Sequence, residues 1–166
     1  MGHNNKEKII RVYFENPGKK FTIRELSKLT RIPRSTLQTK LSSLKKSKLI
    51  TSENIAAESL FFKIKKTNYY IEELFKSGLV DFLIKNLNPS CIILFGSFRK
   101  ADSVKISDID LFVESFVKKK LDLSKYERKL GHKIDLFVEH KLSKLQDNLF
   151  NNVINGIKLY GNLKLK

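Results

Sequence analysis

The hexapeptide Ile-Asp-Leu-Phe-Val-Glu occurs twice in this chain, at residues 109–114 and at residues 134–139. Its residues alternate in the period of a β-strand that has two different faces. The Ile, Leu and Val side chains would point to one face, and the Asp, Phe and Glu side chains to the other. The residues between the copies contain a helical pattern at 123–130. The repeat therefore predicts two strands with a helix between them.

Further strands and helices are predicted around this repeat. The continuous apolar run at 91–95 is typical of a buried strand, and Cys91 in it is predicted to be an inert core thiol because no His lies beside it. Residues 143–155 favour a helix, and residues 157–160 an edge strand. Residues 68–88 favour one or two linking helices, with a break near Ser77 and Gly78. Residues 68–166 thus indicate a small mixed β-sheet with flanking helices.

Residues 1–67 show a different order of elements. Helical spacing is present at 6–14, and Thr22 with Glu25 forms a capping-box pattern at the start of a second helix. Ser35 is predicted to cap a third helix. The predicted buried residues of the second and third helices are Ile23, Leu26, Leu29, Leu37, Leu41 and Leu44. Residues 50–53 and 60–65 resemble two short strands, so the order is that of a winged helix-turn-helix domain, and the whole chain is expected to be α+β.

Charge indicates what the first part binds. The chain has 33 Lys and Arg against 17 Asp and Glu, a net charge of +16, and residues 1–66 alone carry +11. A nucleic acid is the expected partner, double-stranded DNA in particular. The predicted DNA-binding residues are Arg34, Ser35, Thr36, Gln38, Thr39, Lys40, Lys45 and Lys46 on the third helix and Lys63 and Lys65 on the second wing strand. The alternative is a protein-interaction module whose lysines form a solvated face.

Several features favour a cytoplasmic protein that does not contact a membrane. The sequence has no apolar run of about 18 residues, which a membrane span would need. It has no signal-peptide pattern and no lipidation motif. A single cysteine excludes an internal disulfide framework.

Three aspartates carry the sharpest chemical signal. Asp108 and Asp110 lie two residues apart, so both carboxylates project from one face of a strand. Asp135 occupies the position in the second hexapeptide that Asp110 occupies in the first. Three converging carboxylates raise one another's pKa, and a divalent cation such as Mg²⁺ removes that repulsion. The alternative is that these are surface carboxylates at strand edges. Gly96 and Ser97 follow an apolar strand, where backbone amides can approach a phosphate.

Gly96 and Ser97, ten residues, Asp108-Ile109-Asp110 and the later Asp135 together resemble the polymerase-β nucleotidyltransferase superfamily. Within it, the chain is similar to the minimal nucleotidyltransferase domains of bacteria and archaea over residues 79–161, including the ending GIKLYG. The resemblance implies that Gly96, Ser97 and Lys100 hold phosphates of a nucleoside triphosphate, ATP being the default. It also implies that Asp108, Asp110 and Asp135 are catalytic and bind two Mg²⁺ ions, for which Mn²⁺ can substitute.

One position departs from the family's pattern. Minimal members usually have an Arg-Gly pair after the Gly-Ser, where this chain has Lys100 and Ala101. Lysine keeps the positive charge but loses the bidentate fork of arginine. Alanine restricts the loop, because it lacks the conformational freedom of glycine.

Three functions stay open from the sequence. The first is an enzyme that transfers a nucleoside monophosphate to a hydroxyl, recruited or regulated by the DNA-binding domain. The second is a transcription regulator that senses nucleotide without turnover. The third is an antitoxin-like protein that binds or modifies a separate toxin. The three aspartates favour the first or third, whereas Lys100-Ala101 and the basic N-terminal part favour regulation. Homodimerisation also stays open.

Overall fold

The computed structural model describes residues 5–163, which divide into two compact units with the boundary between Lys66 and Thr67. No helix in this range is both long and apolar enough to cross a membrane. The elements are α1 (Asn5–Glu15), α2 (Ile23–Thr30), α3 (Arg34–Lys46), α4 (Leu60–Ser77), α5 (Leu79–Leu87), β1 (Cys91–Phe95), α6 (Gly96–Lys100), β2 (Ile109–Glu114), α7 (Ser124–Leu130), β3 (Ile134–Glu139), a 3₁₀ turn (Leu142–Lys144), α8 (Asp147–Ile154) and β4 (Ile157–Gly161).

The first unit begins with three helices. The predicted capping box of α2 is confirmed, since the Thr22 hydroxyl accepts the Glu25 N–H at 3.2 Å and the Glu25 carboxylate accepts the Thr22 N–H at 2.8 Å. Arg31 adopts a left-handed conformation with φ of 58° and ends α2. Helix α3 follows after residues 31–33. Four of the predicted core leucines are buried, namely Leu26, Leu37, Leu41 and Leu44.

The second predicted wing strand is wrong. Residues 60–65 form the first part of α4, because the Ser59 hydroxyl accepts the Phe62 N–H at 3.1 Å and caps the helix. Phe62 is buried and its ring packs edge-to-face on Phe14, with the centroids 5.2 Å apart. Of the first wing strand, residues 5–66 show only an isolated bridge between Ile50 and Ala56. Lys63 and Lys65 therefore lie on a helix and not on a wing.

Two smaller predictions in this unit are also wrong. Ser35 does not cap α3, because Pro33 occupies the cap position and no side chain makes the capping hydrogen bond. Leu29 is 57% exposed, so it does not belong to the core. The apolar face of α2 is narrower than the sequence suggests.

The second unit contains a four-stranded mixed sheet in the order β3-β2-β1-β4. Strand β1 is antiparallel to both β2 and β4, and β2 is parallel to β3. The strands predicted from the repeat, from the apolar run and at the edge are all present. The two hexapeptides pair in register, so that each residue of β2 faces the identical residue of β3.

One sheet face supports the core of this unit. Cys91, Ile93, Phe95 and Phe112 lie on it and form a buried cluster with Val153 of α8. Burial raises the pKa of the Cys91 thiol to about 11, as expected for an inert core residue. The helix predicted at 143–155 is divided into the 3₁₀ turn and α8. The predicted break at Gly78 is confirmed, since this residue has φ of +82° between α4 and α5.

Candidate active site

The parallel pairing of β2 and β3 brings acidic side chains together at both ends of the strands. Asp110 lies opposite Asp135 where the strands begin, and Glu114 lies opposite Glu139 where they end. All four project from the sheet face that carries Phe112, because side chains alternate along a strand. We call the first pair, with Asp108, the aspartate end and the second pair the glutamate end.

The glutamate end is electrostatically compensated. The Lys118 ammonium donates to both oxygens of Glu139, at 3.0 and 3.1 Å, and holds the pKa of that carboxyl below its usual value. Glu114 accepts a hydrogen bond from the Ser90 hydroxyl at 2.8 Å and another from the Leu142 N–H at 3.3 Å. These carboxylates have donors within the protein and serve the fold.

The aspartate end lacks such compensation. Asp110 is half-buried, and desolvation raises the pKa of its carboxyl, with further increases from the negative charges of Asp135 and Asp108. The Ser97 backbone N–H, which donates to Asp110, opposes this rise. Among residues 5–163, no Lys, Arg or His forms an ion pair with any of the three aspartates. The site therefore carries a negative charge that a bound cation would neutralise.

Gly96 brings the backbone close to this charge. It follows Phe95, which pairs with Asp110 across β1 and β2, and it has φ of +66°. A Cβ atom at this position would lie 1.9 Å from the Asp110 Oδ2 and 2.7 Å from its Cγ. Only glycine permits both this backbone conformation and this approach. The sequence predicted a phosphate-binding role for Gly96, but not its contact with Asp110.

The other predicted phosphate-binding residues lie on α6. Ser97 is half-buried and its amide is directed at Asp110, while Lys100 is exposed at the last position of this five-residue helix. Ala101 then adopts a left-handed conformation with φ of 61°. Alanine thus occupies a backbone conformation that favours glycine, at the position where the sequence departs from the family's pattern.

His132 is a buried structural residue of this region. It is 5% exposed, and its Nδ1 lies 2.9 Å from the Ser107 carbonyl oxygen, one residue before Asp108. Its ring packs edge-to-face on Phe98 of α6, with the centroids 4.9 Å apart. His132 therefore connects the start of β3 to the segments that position Asp108 and Ser97. In the sequence, the only sign of this role is that His132 lies three residues before Asp135.

A family model described as Polymerase beta, Nucleotidyltransferase matches residues 78–164, just over half of the chain. The chain belongs to the polymerase β nucleotidyltransferase family. The match contains all four strands of the sheet, Gly96, Ser97 and the three aspartates. At the level of the superfamily this supports nucleotidyl transfer, NTP binding and the use of divalent metal ions. A comparison with curated proteins finds no significant match.

The three aspartates of this family member have the donor chemistry that a divalent ion requires. Carboxylate oxygens are the preferred ligands of Mg²⁺. Burial raises the pKa of the Asp110 carboxyl most, and the negative charges of Asp135 and Asp108 raise it further. Within residues 5–163, no group of three or more His, Cys, Asp or Glu side chains is gathered so that it could hold a metal ion. Ion binding would therefore require the exposed side chains of Asp108 and Asp135 to turn toward Asp110.

The predicted DNA-binding residues fall into two groups. On α3, Arg34, Ser35, Gln38, Thr39 and Lys46 are exposed, and Thr36, Lys40 and Lys45 are half-buried. Lys45 donates to the Ser52 carbonyl at 2.9 Å, which engages its ammonium within the unit. Lys63 and Lys65 lie on α4, two residues and so roughly 200° apart around that helix. The α3 residues share one element, whereas the two α4 lysines point in different directions.

Proposed function

We propose that the chain is a cytoplasmic, Mg²⁺-dependent nucleotidyltransferase that moves a nucleoside monophosphate from an NTP, ATP by default, to a hydroxyl acceptor. The observation that carries the proposal is the pairing of Asp110 with Asp135 on adjacent parallel strands. Among the described residues, neither aspartate forms an ion pair with a Lys, Arg or His side chain, and the Gly96 backbone lies against Asp110. At the other end of the same strands, the paired glutamates do have hydrogen-bond donors. The lack of a cationic partner is therefore specific to the aspartate end and is not a general property of these strands.

Each residue has a distinct role in the proposed reaction. The acceptor oxygen attacks the α-phosphorus of the NTP, a new P–O bond forms, and the bond to the departing pyrophosphate breaks. Asp135, whose side chain is exposed, accepts the proton of the attacking hydroxyl. Asp110 is held in place by the Ser97 N–H. Lys100, exposed at the end of α6, attracts the negative phosphates of the substrate.

Asp108, Asp110 and Asp135 would together hold two Mg²⁺ ions, or Mn²⁺ in their place. When bound, such ions neutralise the charge on the carboxylates and on the transferred phosphoryl group. The raised pKa of the Asp110 carboxyl, caused first by burial and then by the charges of Asp135 and Asp108, fits this assignment, because a bound cation would stabilise the ionised form of this carboxyl.

A second function is a DNA-binding regulator or an antitoxin-like protein, in which the nucleotidyltransferase unit senses nucleotide or binds a partner such as a toxin without turnover. Two observations favour it. Helix α3 presents exposed Arg34, Gln38 and Lys46, which are suited to double-stranded DNA. Ala101 is held in a left-handed conformation beside Lys100, which sets this loop apart from the usual family pattern. In both functions, we propose that α3 contacts DNA. Homodimerisation is compatible with either.

The proposal is tested by incubating the protein with each α-³²P-labelled NTP and Mg²⁺, with DNA, RNA and co-purified proteins as acceptors. We expect label on an acceptor with the native chain and none with the double variant Asp108→Asn, Asp110→Asn. Glu139→Gln is the matched control, because it removes a carboxylate from the same strand pair at its other end. It should retain full transfer.

Three results distinguish the functions. Transfer by the double aspartate variant would refute the assignment of the site. Loss of transfer in Glu139→Gln as well would show that the variants damage the sheet and not a reaction centre. Mg²⁺-dependent NTP binding by the native chain, with no label on any acceptor, would favour the regulator.

A further inference from the structure

The loop after β2 is anchored on both sides of an exposed aromatic residue. Ser115 is only 3% exposed, and its N–H donates to the Glu139 carbonyl at 2.9 Å. Its hydroxyl donates to the Leu87 carbonyl and accepts the Val117 N–H at 2.9 Å. The backbone on either side of Phe116 is thereby fixed to the sheet and to the end of α5.

Phe116 nevertheless projects into solvent, with an exposed fraction of 84%. Its ring lies beside that of His140, with the centroids 6.0 Å apart and the planes at 34°. Exposing a large aromatic side chain forfeits the free energy that its burial would gain. The anchored loop thus presents an aromatic ring to solvent in a defined position.

Three lysines follow this loop residue closely in the chain. Lys118, Lys119 and Lys120 follow Val117 directly, and all three are exposed. Lys118 is engaged by Glu139, but within residues 5–163 neither Lys119 nor Lys120 makes a hydrogen bond or an ion pair. Two lysines that lack a protein partner among the described residues, three and four residues after an outward aromatic ring, complement a ligand that has both flat rings and negative charges.

We propose that the Phe116 platform, consisting of Phe116, Lys119, Lys120 and His140, binds single-stranded nucleic acid. An unpaired base stacks on the Phe116 ring, and the neighbouring phosphates contact Lys119 and Lys120. Single strands fit better than a duplex, because the bases of a duplex are already stacked on one another. A membrane surface would favour a broader apolar area than Phe116 and Val117 provide.

This platform is separate from the proposed reaction centre. It lies at the glutamate end of β2 and β3, because Ser115 follows Glu114 and bonds to Glu139. The residues from Asp110 to Glu114 place it roughly 13 Å along the strands from the aspartate end. Binding at the platform therefore does not depend on nucleotidyl transfer, and it is also distinct from the proposed contact of α3 with double-stranded DNA.

The test measures binding of fluorescein-labelled (dT)₁₂ and (U)₁₂ to the full chain by fluorescence anisotropy at several salt concentrations. Phe116→Ala should weaken binding about 5- to 150-fold, the range measured for loss of one stacked base. Lys119→Gln with Lys120→Gln should lower the slope of log affinity against log salt by about 1.4, or about 0.7 for each phosphate that the variant no longer neutralises. Phe75→Ala is the control, since Phe75 is also exposed, at 45%, but lies on α4.

Photo-crosslinking locates the contact within the full chain. An oligonucleotide that carries 5-bromouracil should crosslink to Phe116 itself, located by fragmenting the tryptic peptide of residues 106–118, and not to the Asp108–Asp110 segment of the same peptide. Crosslinks confined to residues 1–66, or equal affinity in Phe116→Ala and the native chain, would overturn the proposal. Phe116-dependent binding to phosphatidylserine vesicles without oligonucleotide binding would also overturn it and reassign the platform to an anionic membrane.

Discussion

Gly96 and Gly18 have nearly the same backbone conformation, with φ of +66° and +67°, but different surroundings. Nothing lies within 4 Å of a Cβ atom built on Gly18, whereas one built on Gly96 collides with the Asp110 carboxylate. Alanine at either position costs roughly 1–2 kcal/mol for the left-handed backbone. We expect only Gly96→Ala to displace Asp110 as well, and so to weaken Mg²⁺-dependent NTP binding at least tenfold.

Calorimetric titration of NTP into Gly96→Ala and Gly18→Ala checks this prediction, with urea unfolding of both variants alongside. The two should differ sharply in nucleotide binding. Equal NTP affinity in both variants would show that the contact between Gly96 and Asp110 does not shape the site.

Ala101 gives a residue-scale prediction of the opposite sign. Its φ of 61° lies in the region that disfavours a side chain, so Ala101→Gly should stabilise the protein by about 1 kcal/mol. For a chain of this size that gain raises the thermal midpoint by about 2–4 °C. The control is Ala57→Gly, at a residue without positive φ, which should destabilise by roughly 0.5–1 kcal/mol. A lower midpoint for Ala101→Gly would contradict the expectation.

The separate residues of the site were only partly predictable. Asp108, Asp110 and Asp135 follow from their spacing and from the repeat, because in-register pairing places identical residues opposite each other. The contact of Gly96 with Asp110 depends on which residues pair across β1 and β2, and that register is not readable from either strand alone. The contact of His132 with the Ser107 carbonyl joins two distant segments and has no local pattern.

At the scale of elements, the sequence predicted the sheet better than the N-terminal hairpin. Strands β1, β2 and β3 have continuous or alternating apolar patterns, and each lies where expected. Residues 60–65 also contain closely spaced apolar residues, but the apolar pattern to which they belong continues along the rest of α4. Buried Phe62, Tyr69, Tyr70 and Leu74 share one helical face. The Ser59 cap and the helical spacing of these buried residues favour a helix. Both features lie largely outside residues 60–65, so the short segment alone does not reveal them.

Helix α3 carries the prediction for DNA binding. Arg34→Ala and Lys40→Ala should each weaken binding to double-stranded DNA, and the salt slope should fall by about 1 for each phosphate that is no longer neutralised. Lys85→Ala on α5, an exposed lysine of the second unit, is the control. Anisotropy titrations at several salt concentrations measure both quantities. If both α3 variants keep the native affinity and the native salt dependence, then α3 does not contact DNA.

Over the whole molecule, charge is divided unevenly between the two units. Residues 1–66 carry a net charge of +11, and residues 67–166 carry +5, although the second part is longer. The acidic side chains of the second part include the aspartate end, whose mutual repulsion is unrelieved, and the glutamate end, whose carboxylates have donors. The first unit is therefore strongly basic, as a polyanion-binding unit would be, whereas the second unit contains a local cluster of negative charge at the aspartate end.

The most direct test of this account is an electron paramagnetic resonance titration of Mn²⁺ into three proteins: the native chain, Asp110→Asn and Glu139→Gln. The account predicts that the native chain and Glu139→Gln bind Mn²⁺ with similar affinity and that Asp110→Asn binds it at least tenfold more weakly. Equal Mn²⁺ binding by Asp110→Asn and the native chain would contradict the assignment of the aspartate end as the cation site on which the proposed nucleotidyl transfer depends.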